Sequence, residues 1–196
     1  MNWLAHLFLS QSNSEHRLGN LLGDMLKGQE RSNLASCFQP GLECHLLIDN
    51  FTDSHQVFRV SKRRINSQHR RYSGILIDVF YDYFLARNWQ TYASIDLSYF
   101  TQDVYSSLLE PLDLTPIRVQ KIIHRMIKED WLGSYYYLSG VEATLHGIKS
   151  RLSSRHDEYF LVNAFMAELE TNAKEIEADF HVFFPALIAR VKLQRD

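Results

Sequence analysis

Gly74-Ile-Leu-Ile-Asp-Val-Phe-Tyr-Asp-Tyr-Phe-Leu85 is the stretch that decides the fold class of this chain. Its apolar residues cover nearly all sides of a helix, and Asp78 and Asp82 are four residues apart, so they share one face. A helix that is apolar all round is buried, and an unpaired carboxylate inside it is costly. The stretch therefore predicts a buried helix whose two acids face something positive.

The rest of the chain has the same helical character. Only 8 of its 196 residues are Gly and 4 are Pro, and apolar residues recur mainly at spacings of three and four. These features predict an all-α fold, a helical bundle forming a single domain over residues 1–196. The predicted helices are Asn2–Leu9, Glu15–Leu26, Leu42–Lys62, Gly74–Trp89, Ser94–Glu110, Pro116–Glu129, Val141–Leu152 and a long segment from Asp157 to Leu193 that is interrupted near Pro185.

Composition argues against several functional classes. The 21 basic and 23 acidic residues give a formal charge of -2, so the whole chain has no strong preference for nucleic acid or an anionic membrane. Cys37 and Cys44 are too far apart for a CxxC redox motif or a close pair of zinc ligands. The apolar start contains His6 and is too short to span a bilayer or to resemble a signal peptide. We therefore expect an unprocessed cytoplasmic protein.

A second run, His45-Leu-Leu-Ile-Asp-Asn-Phe-Thr-Asp-Ser-His55, adds histidine to acids at helix spacing. His45, Asp49 and Asp53 are each four residues apart, so on one helix they project along one side. Hard divalent cations take carboxylate and imidazole ligands, and two helices that carry them can enclose a metal ion in a bundle core. The run therefore makes a metal site one interpretation of the helix-spaced acids.

These acids also have a structural interpretation. Asp49 could cap a helix or pair with a neighbouring arginine, and Asp78 and Asp82 could form a buried bridge to Arg70 or Arg71. Spacing alone does not choose between the two interpretations.

The segment Gly19-Asn-Leu-Leu-Gly-Asp24 predicts a helix whose backbone closely approaches another element. It is not a phosphate-binding loop, because it lacks the Gly-Lys-Ser/Thr ending and no strand precedes it. Asp24 at its end is a further acid in apolar surroundings, and a structural role is as good an interpretation as a site role.

The range 59–71 is a basic segment that contains no acid. It separates the two acid-bearing helices and is either a solvated helix end or a docking patch for an acidic protein or a phosphate-bearing ligand. Its basic residues are Arg59, Lys62, Arg63, Arg64, Arg70 and Arg71.

Several ordered blocks of the sequence resemble the bacterial acyl carrier protein phosphodiesterases. They are Asn2-Trp-Leu-Ala-His6, Gly19–Asp24 with Lys27-Gly28, the run from His45 to His55, Arg71 and Gly74 with Asp78, Asp82, Leu85 and Trp89, Asp130-Trp-Leu132, and Ser150-Arg151. The resemblance implies a distant all-helical relative of the HD-type phosphohydrolases. It also implies removal of 4′-phosphopantetheine from holo acyl carrier protein, with Mn²⁺ or Mg²⁺ as cofactor.

The resemblance also assigns residues to roles. It places a set of acids and histidines at the family's site positions: His6, Asp24, His45, Asp49, Asp78 and Asp82. Tyr83 is a departure, because many relatives have His there.

As a mechanistic hypothesis, His45, Asp49 and Asp78 or Asp82 hold the ion, with His6 as a further candidate ligand, and Asp24 orients or deprotonates the attacking water. Arg70 or Arg71 neutralises the phosphoryl charge, and Arg59, Lys62, Arg63 and Arg64 dock the acidic carrier protein.

Two other functions remain open from the sequence. One is a phosphohydrolase of the same metal type that acts on a nucleotide or another small phosphate ester. The other is a helical protein that binds acyl carrier protein without catalysis, for which Tyr83 is the only sequence hint. Covalent catalysis has no support, because the chain has no Gly-x-Ser-x-Gly motif and neither cysteine has the context of a nucleophile.

Overall fold

The structure is a computed structural model that describes residues 1–152 and 158–194. Every regular element within those two ranges is helical, which confirms the predicted all-α fold class. The α-helices are α1 (Trp3–Phe8), α2 (Ser14–Met25), α3 (Gln29–Ser32), α4 (Gln39–Ser54), α5 (Gln56–Arg64), α6 (Ser73–Arg87), α7 (Trp89–Tyr92), α8 (Leu97–Leu109), α9 (Ile117–Lys128), α10 (Trp131–Ser134), α11 (Leu138–Lys149) and α12 (Val162–Lys192). None of the helices in the described part of the chain combines the length and apolarity needed to cross a bilayer.

Helix α6 is the buried centre predicted from its sequence. Leu76, Ile77, Phe80 and Leu85 have no exposed surface, and the helix packs against α1, α5, α11 and α12. Its apolar residues belong to one continuous cluster of buried side chains that runs through the described residues. Of the two acids of α6, Asp82 is completely buried, whereas the Asp78 side chain is 32% exposed.

The helix predicted over Leu42–Lys62 is two helices. His55 has an extended backbone (φ -72°, ψ 133°) that ends α4 and begins α5. Its Nδ1 accepts a hydrogen bond from the Val57 N–H at 3.3 Å, so the side chain caps the new helix. The imidazole at the end of the run therefore has a capping role that the periodicity did not reveal.

Pro185 does not interrupt the last helix. It lies inside the continuous helix α12, where its own position is exposed. Proline removes one backbone hydrogen bond, but Phe183, Phe184 and Leu187 beside it are completely buried and hold the helix against the core. The predicted start of this helix at Asp157 lies outside the described residues.

Helices α2 and α4 are in contact through their backbones. A Cβ atom at Gly19 would lie 2.3 Å from the Phe38 carbonyl oxygen, and one at Gly41 would lie 2.2 Å from the His16 carbonyl oxygen. Neither position has room for a larger residue unless the backbones separate. The close approach predicted for the Gly19 helix is therefore present, and α4 is the main helix that it meets.

We predict that Gly41→Ala lowers the free energy of unfolding by about 2 kcal/mol or more, because the added methyl overlaps backbone atoms that cannot rotate away. Gly147→Ala is the matched control, since Gly147 lies in α11 and a Cβ there meets nothing within 4 Å. Alanine at that helical position should stabilise by about 0.5–1 kcal/mol. Urea unfolding of both variants measures the difference, and equal effects would contradict the close contact of α2 and α4.

Candidate metal centre

His6, His45 and Asp49 form a compact cluster from two helices. One potential ligand atom from each residue lies within 4.8 Å of the others. The His6 Nε2 is 3.3 Å from Asp49 Oδ1, and the His45 Nε2 is 3.0 Å from Asp49 Oδ2. The two imidazoles stack with ring centroids 4.5 Å apart, and both histidines are almost completely buried. The carboxylate thus faces two imidazoles at once.

Each helix places its part of the cluster for a local reason. His45 and Asp49 are one turn apart on α4, as their spacing predicted. His6 comes from α1, which contacts α2 and α6. Gly23 on α2 makes space for the cluster, because a Cβ atom there would lie 2.2 Å from the His45 Cδ2.

Asn20 sets the tautomer of His6. Its amide nitrogen donates to the His6 carbonyl at 3.1 Å and to Ser10 Oγ at 2.9 Å, so its oxygen is the atom that faces His6 Nδ1 at 2.8 Å. An amide oxygen is only an acceptor, so His6 Nδ1 carries a proton. In neutral His6, the lone pair is then on Nε2 and points towards Asp49.

This arrangement brings two acceptors together. Among the described residues, His6 Nε2 is buried without a hydrogen-bond partner, and so is His45 Nδ1. Burial opposes ionisation of Asp49, but the ion pairs that His45 and His6 form with it when protonated outweigh burial and hold the pKa of this carboxyl well below its usual range. A lone pair that faces an ionised carboxylate needs a cation between them, either a proton on the imidazole or a metal ion.

Asp24 is the fourth group at the cluster. Its Oδ1 lies 3.8 Å from His45 Nε2, and its Oδ2 accepts a hydrogen bond of 2.8 Å from the indole N–H of Trp3. Trp3 stacks on Trp131, with ring centroids 5.6 Å apart. The Asp24 side chain is 45% exposed, so one of its oxygens is fixed by an indole while the carboxylate remains open to solvent.

Asp78 and Asp82 are engaged in other contacts. The N-terminal ammonium of Met1 donates to Asp78 Oδ1 at 2.8 Å. Asp82 accepts the backbone N–H groups of Leu4 at 2.7 Å and Ala5 at 3.4 Å, at the start of α1. The positive group that faces these acids is thus the ammonium and the N-terminal end of a helix rather than Arg70 or Arg71.

The metal-ligand role predicted for Asp78 and Asp82 does not match these contacts. Within the described ranges, the group of side chains close enough to share an ion consists of His6, His45 and Asp49. Burial raises the pKa of Asp78, and the positive charge of the Met1 ammonium partly offsets this rise. Burial raises the pKa of Asp82 to about 7, although the ammonium and the N–H groups of α1 oppose the shift. Both acids join α6 to the start of α1.

Tyr83, the departure from the family pattern, packs edge-on against Phe84 with ring centroids 5.3 Å apart. It follows Asp82, which binds backbone rather than the cluster. The tyrosine therefore leaves the cluster of His6, His45 and Asp49 unaltered.

Arg70 and Arg71, predicted to meet a phosphoryl group, lie on the 3₁₀ turn that precedes α6. Arg70 donates to the Arg63 carbonyl at 3.4 Å, and the Arg71 guanidinium lies 5.6 Å from the ring centroid of Tyr72. These contacts are with their own segment and not with the cluster. Their role at the phosphoryl group remains a prediction.

The basic segment divides into engaged and exposed residues. The Arg64 guanidinium binds Asp179 of α12 through Nε at 2.7 Å and Nη2 at 3.0 Å, which also raises the pKa of Arg64. Lys62 is partly buried, whereas Arg59 and Arg63 are exposed. Arg64 therefore holds two helices together, and Arg59 and Arg63 are the better candidates for docking.

Sequence reasoning missed Asn20, Trp3 and Trp131 as parts of the site. A signal existed for Asn20, because it is a polar residue in the otherwise apolar stretch from Leu18 to Leu22 and lies in a block that carries the family resemblance. The two tryptophans also lie in such blocks, but a tryptophan in an apolar context is usually a core residue, so the blocks alone did not mark them as parts of the site.

The fold and the cluster define an all-α protein with a histidine–carboxylate site. A family model described as acyl carrier protein phosphodiesterase matches residues 1–187. Proteins named acyl carrier protein phosphodiesterase are similar over nearly the full length of both chains. The protein from Serratia proteamaculans (strain 568) is 33% identical over 193 residues, covering 98% of each chain. The protein from Pectobacterium atrosepticum is 29% identical over 196 residues, covering the whole of both chains.

The chain belongs to the acyl carrier protein phosphodiesterase family, a family of phosphoric diester hydrolases. The predicted family and enzyme class are thereby confirmed. No solved structure matches the chain, so its relationship to the HD-type phosphohydrolases remains a prediction.

We predict that Asp82→Asn changes the pH dependence of stability. The folded protein holds the Asp82 proton up to about pH 7, whereas the unfolded chain loses it near the ordinary value of 3.8. The stability that comes from this proton is present at acid pH and is lost as the pH rises from about 4 to about 7. The free energy of unfolding of the unsubstituted protein should therefore fall over that range relative to Asp82→Asn.

Urea unfolding at several pH values measures this difference, and Asp53→Asn on the exposed side of α4 is the control. Parallel curves for the unsubstituted protein and Asp82→Asn would refute the assignment.

Proposed function

We propose that this protein hydrolyses the phosphodiester that joins 4′-phosphopantetheine to a serine of holo acyl carrier protein, with Mn²⁺ or Mg²⁺ as cofactor. The products are apo acyl carrier protein and 4′-phosphopantetheine. The observation that carries the proposal is the buried His6 Nε2, which has no hydrogen-bond partner among the described residues and faces the Asp49 carboxylate at 3.3 Å, in a chain that the family model matches over residues 1–187. Family membership supplies the phosphodiester class, and the cluster supplies a place for a cation.

The donor set suits a divalent cation. The candidate ligands are His6 Nε2, His45 Nε2 and a carboxylate oxygen of Asp49, a mixture of imidazole and carboxylate that Mn²⁺ accepts. Asn20 fixes His6 in the tautomer that a ligand needs, as an outer partner of a metal-binding histidine does. A bound divalent cation lowers the pKa of a coordinated water and polarises a phosphoryl oxygen.

Asp24 is the residue best placed to act on the attacking water. Trp3 fixes Asp24 Oδ2, and Oδ1 faces the cluster at 3.8 Å from His45 Nε2. A carboxylate held in this way can accept the water proton while the water oxygen forms a bond to phosphorus. The bond from phosphorus to the serine oxygen then breaks, the serine oxygen takes up a proton from solvent to become the hydroxyl of apo carrier protein, and Asp24 returns its proton to solvent.

The exposed part of the basic segment supports the choice of a protein substrate. Arg59 and Arg63 project from α5 and are not engaged like Arg64. Acyl carrier proteins are small and acidic, so exposed positive charge on the enzyme would speed their encounter with it.

We predict that the protein releases 4′-phosphopantetheine from holo acyl carrier protein in the presence of Mn²⁺ and that a chelator prevents release. His45→Ala and Asp49→Ala should each lower kcat/KM by about two orders of magnitude or more, because each removes a ligand at the charged centre. His124→Ala, at an exposed histidine of α9, is the matched control and should retain activity. Mass spectrometry of the carrier protein measures the loss of the prosthetic group.

A small phosphodiester, assayed in parallel, tests the alternative substrate class. Turnover of the small diester without turnover of holo carrier would reject the carrier substrate. Release that persists after exhaustive chelation would reject the metal-dependent site.

We further predict that Arg63→Glu raises the KM for the carrier protein more at low salt than at high salt, because exposed charges are screened by ions. Arg190→Glu is a control, with the same charge change at an exposed residue near the end of α12. Steady-state kinetics at two or more salt concentrations measure the effect. An equal salt dependence in the two variants would remove the docking role from the basic segment.

A further inference from the structure

A stack of two indoles and two guanidinium groups lies beside the cluster. Trp3 and Trp131 are the two inner layers, with ring centroids 5.6 Å apart. The Arg151 guanidinium lies 5.9 Å from the Trp3 ring, and the Arg125 guanidinium lies 5.6 Å from the Trp131 ring. Trp3 also binds Asp24 through its indole N–H, so this stack is connected directly to the site.

We propose that Arg151 is the residue that binds the phosphoryl oxygens of the substrate, held at the edge of the cluster by the face of Trp3. The proposal rests on the proposed function for the identity of the phosphodiester, but phosphate binding by Arg151 can be measured without it. It assigns to Arg151 the charge neutralisation that the sequence predicted for Arg70 or Arg71.

The contacts of Arg151 fix its position at the site. Its Nε donates to the Gly147 carbonyl at 3.1 Å, so the side chain is anchored at the end of α11. Its guanidinium contacts the indole whose N–H holds Asp24, and Asp24 is 3.8 Å from the His45 imidazole. One indole thus connects the guanidinium to the carboxylate at the cluster, so a phosphoryl group at the edge of the cluster can meet the positive charge of Arg151.

The charges of Arg151 and Asp24 both act on Tyr135. Tyr135 is almost completely buried, and burial raises the pKa of its hydroxyl well above the ordinary value. The negative charges of Asp82 and Asp24 add to this shift, whereas the positive charge of Arg151 opposes it. One buried hydroxyl therefore senses both the acid and the guanidinium.

The chemistry of arginine suits this position. A guanidinium can donate two parallel hydrogen bonds to a phosphoryl group and stack on an aromatic ring at the same time. Arg151 is exposed, so a ligand can reach it from solvent. Its bond to the Gly147 carbonyl uses Nε, and the two terminal nitrogens of a guanidinium can form such a pair with phosphate.

Arg125 is the matched control in the same stack. Its guanidinium lies on an indole in the same way, but its Nε is bonded to Glu129 at 2.9 Å. The same glutamate accepts the indole N–H of Trp131 at 2.8 Å. Arg125 is thus neutralised locally and lies across two indoles from Asp24.

The experiment compares Arg151→Ala, Arg151→Lys and Arg125→Ala in three measurements. Calorimetry with inorganic phosphate gives the phosphate affinity of the Mn²⁺-loaded protein, and electron paramagnetic resonance of free Mn²⁺ gives the metal affinity. Kinetics on holo carrier protein give kcat and KM. We expect Arg151→Ala to weaken phosphate binding about tenfold or more, to lower kcat by about 100-fold, and to leave Mn²⁺ affinity and urea unfolding close to those of the unsubstituted protein.

The other variants separate a phosphate contact from a structural role. Arg151→Lys should restore part of the phosphate affinity, because it keeps the charge but not the paired hydrogen bonds. Added guanidinium ion should partly restore kcat to Arg151→Ala and should leave the kcat of Arg125→Ala unchanged. Arg125→Ala should match the unsubstituted protein in phosphate affinity and kcat.

The measurements also distinguish this inference from the proposed function. If the unsubstituted protein binds phosphate through Arg151 but does not hydrolyse holo carrier protein, the proposed function fails and the phosphate site stands. If Arg151→Ala and Arg125→Ala bind phosphate equally well, or if the unsubstituted protein binds no phosphate, the inference about Arg151 is overturned. A loss of unfolding stability in Arg151→Ala with unchanged phosphate affinity would assign it a structural role at the end of α11.

Discussion

The close contact of α2 with α4 is the constraint on which the site depends. Gly19 and Gly41 let the two backbones meet, and Gly23 gives the His45 ring the space that a side chain would take. This contact brings Asp24 of α2 to His45 of α4, and Asn20 of the same helix α2 binds His6 of α1. An added methyl group cannot be accommodated by rotation of a flexible side chain, because backbone oxygens form the opposing surface at two of the three glycines. The geometry of the cluster thus follows from three positions that carry no chemistry.

The second constraint is the attachment of α1 to α6. Helix α1 has only six residues, too few to be stable alone, and the first N–H groups of any helix lack partners within it. Asp82 accepts two of these groups from within the core. Because Trp3 and His6 lie one turn apart on this helix, one carboxylate on α6 orients both an indole that binds Asp24 and an imidazole of the cluster.

A good part of this arrangement could be predicted from the sequence. The predictions that were wrong concern residues whose partners are far away along the chain. The pair His45 and Asp49 was predictable because both residues are on one helix, where spacing determines the face. The role of Asp82 could not be predicted, because its partners are the backbone N–H groups of Asn2, Leu4 and Ala5, 77 to 80 residues away along the chain, and backbone groups are present at every residue. The bond between Arg64 and Asp179 could not be predicted for the same reason, because Asp179 is 115 residues away, and the sequence therefore indicated a docking role for Arg64.

Local structure was predicted less well where tertiary contacts overrode it. The periodicity over Leu42–Lys62 continues through His55, yet the chain turns there because the imidazole caps the following helix. Pro185 was predicted to interrupt a helix, but buried aromatic residues beside it hold α12 continuous. In both places a tertiary or capping contact of a side chain decides whether the helix continues. Histidine and phenylalanine side chains occur both inside helices and at their ends, so composition and spacing could not predict these contacts.

In the cluster, two hydrogen-bond acceptors, His6 Nε2 and the Asp49 carboxylate, face each other, and this affects both the folding free energy and the binding of a cation. Asn20 keeps a proton on His6 Nδ1, so the lone pair of the neutral ring points at the Asp49 carboxylate. Without a cation this arrangement costs folding free energy, and a cation that binds the folded state returns stability by mass action. The helices around the cluster must then be stable without the cation. The backbone contact of α2 with α4 and the attachment of α1 to Asp82 provide this stability. Because these contacts do not use the cluster residues, the imidazoles and the carboxylate can be selected for what they bind and not for how they pack.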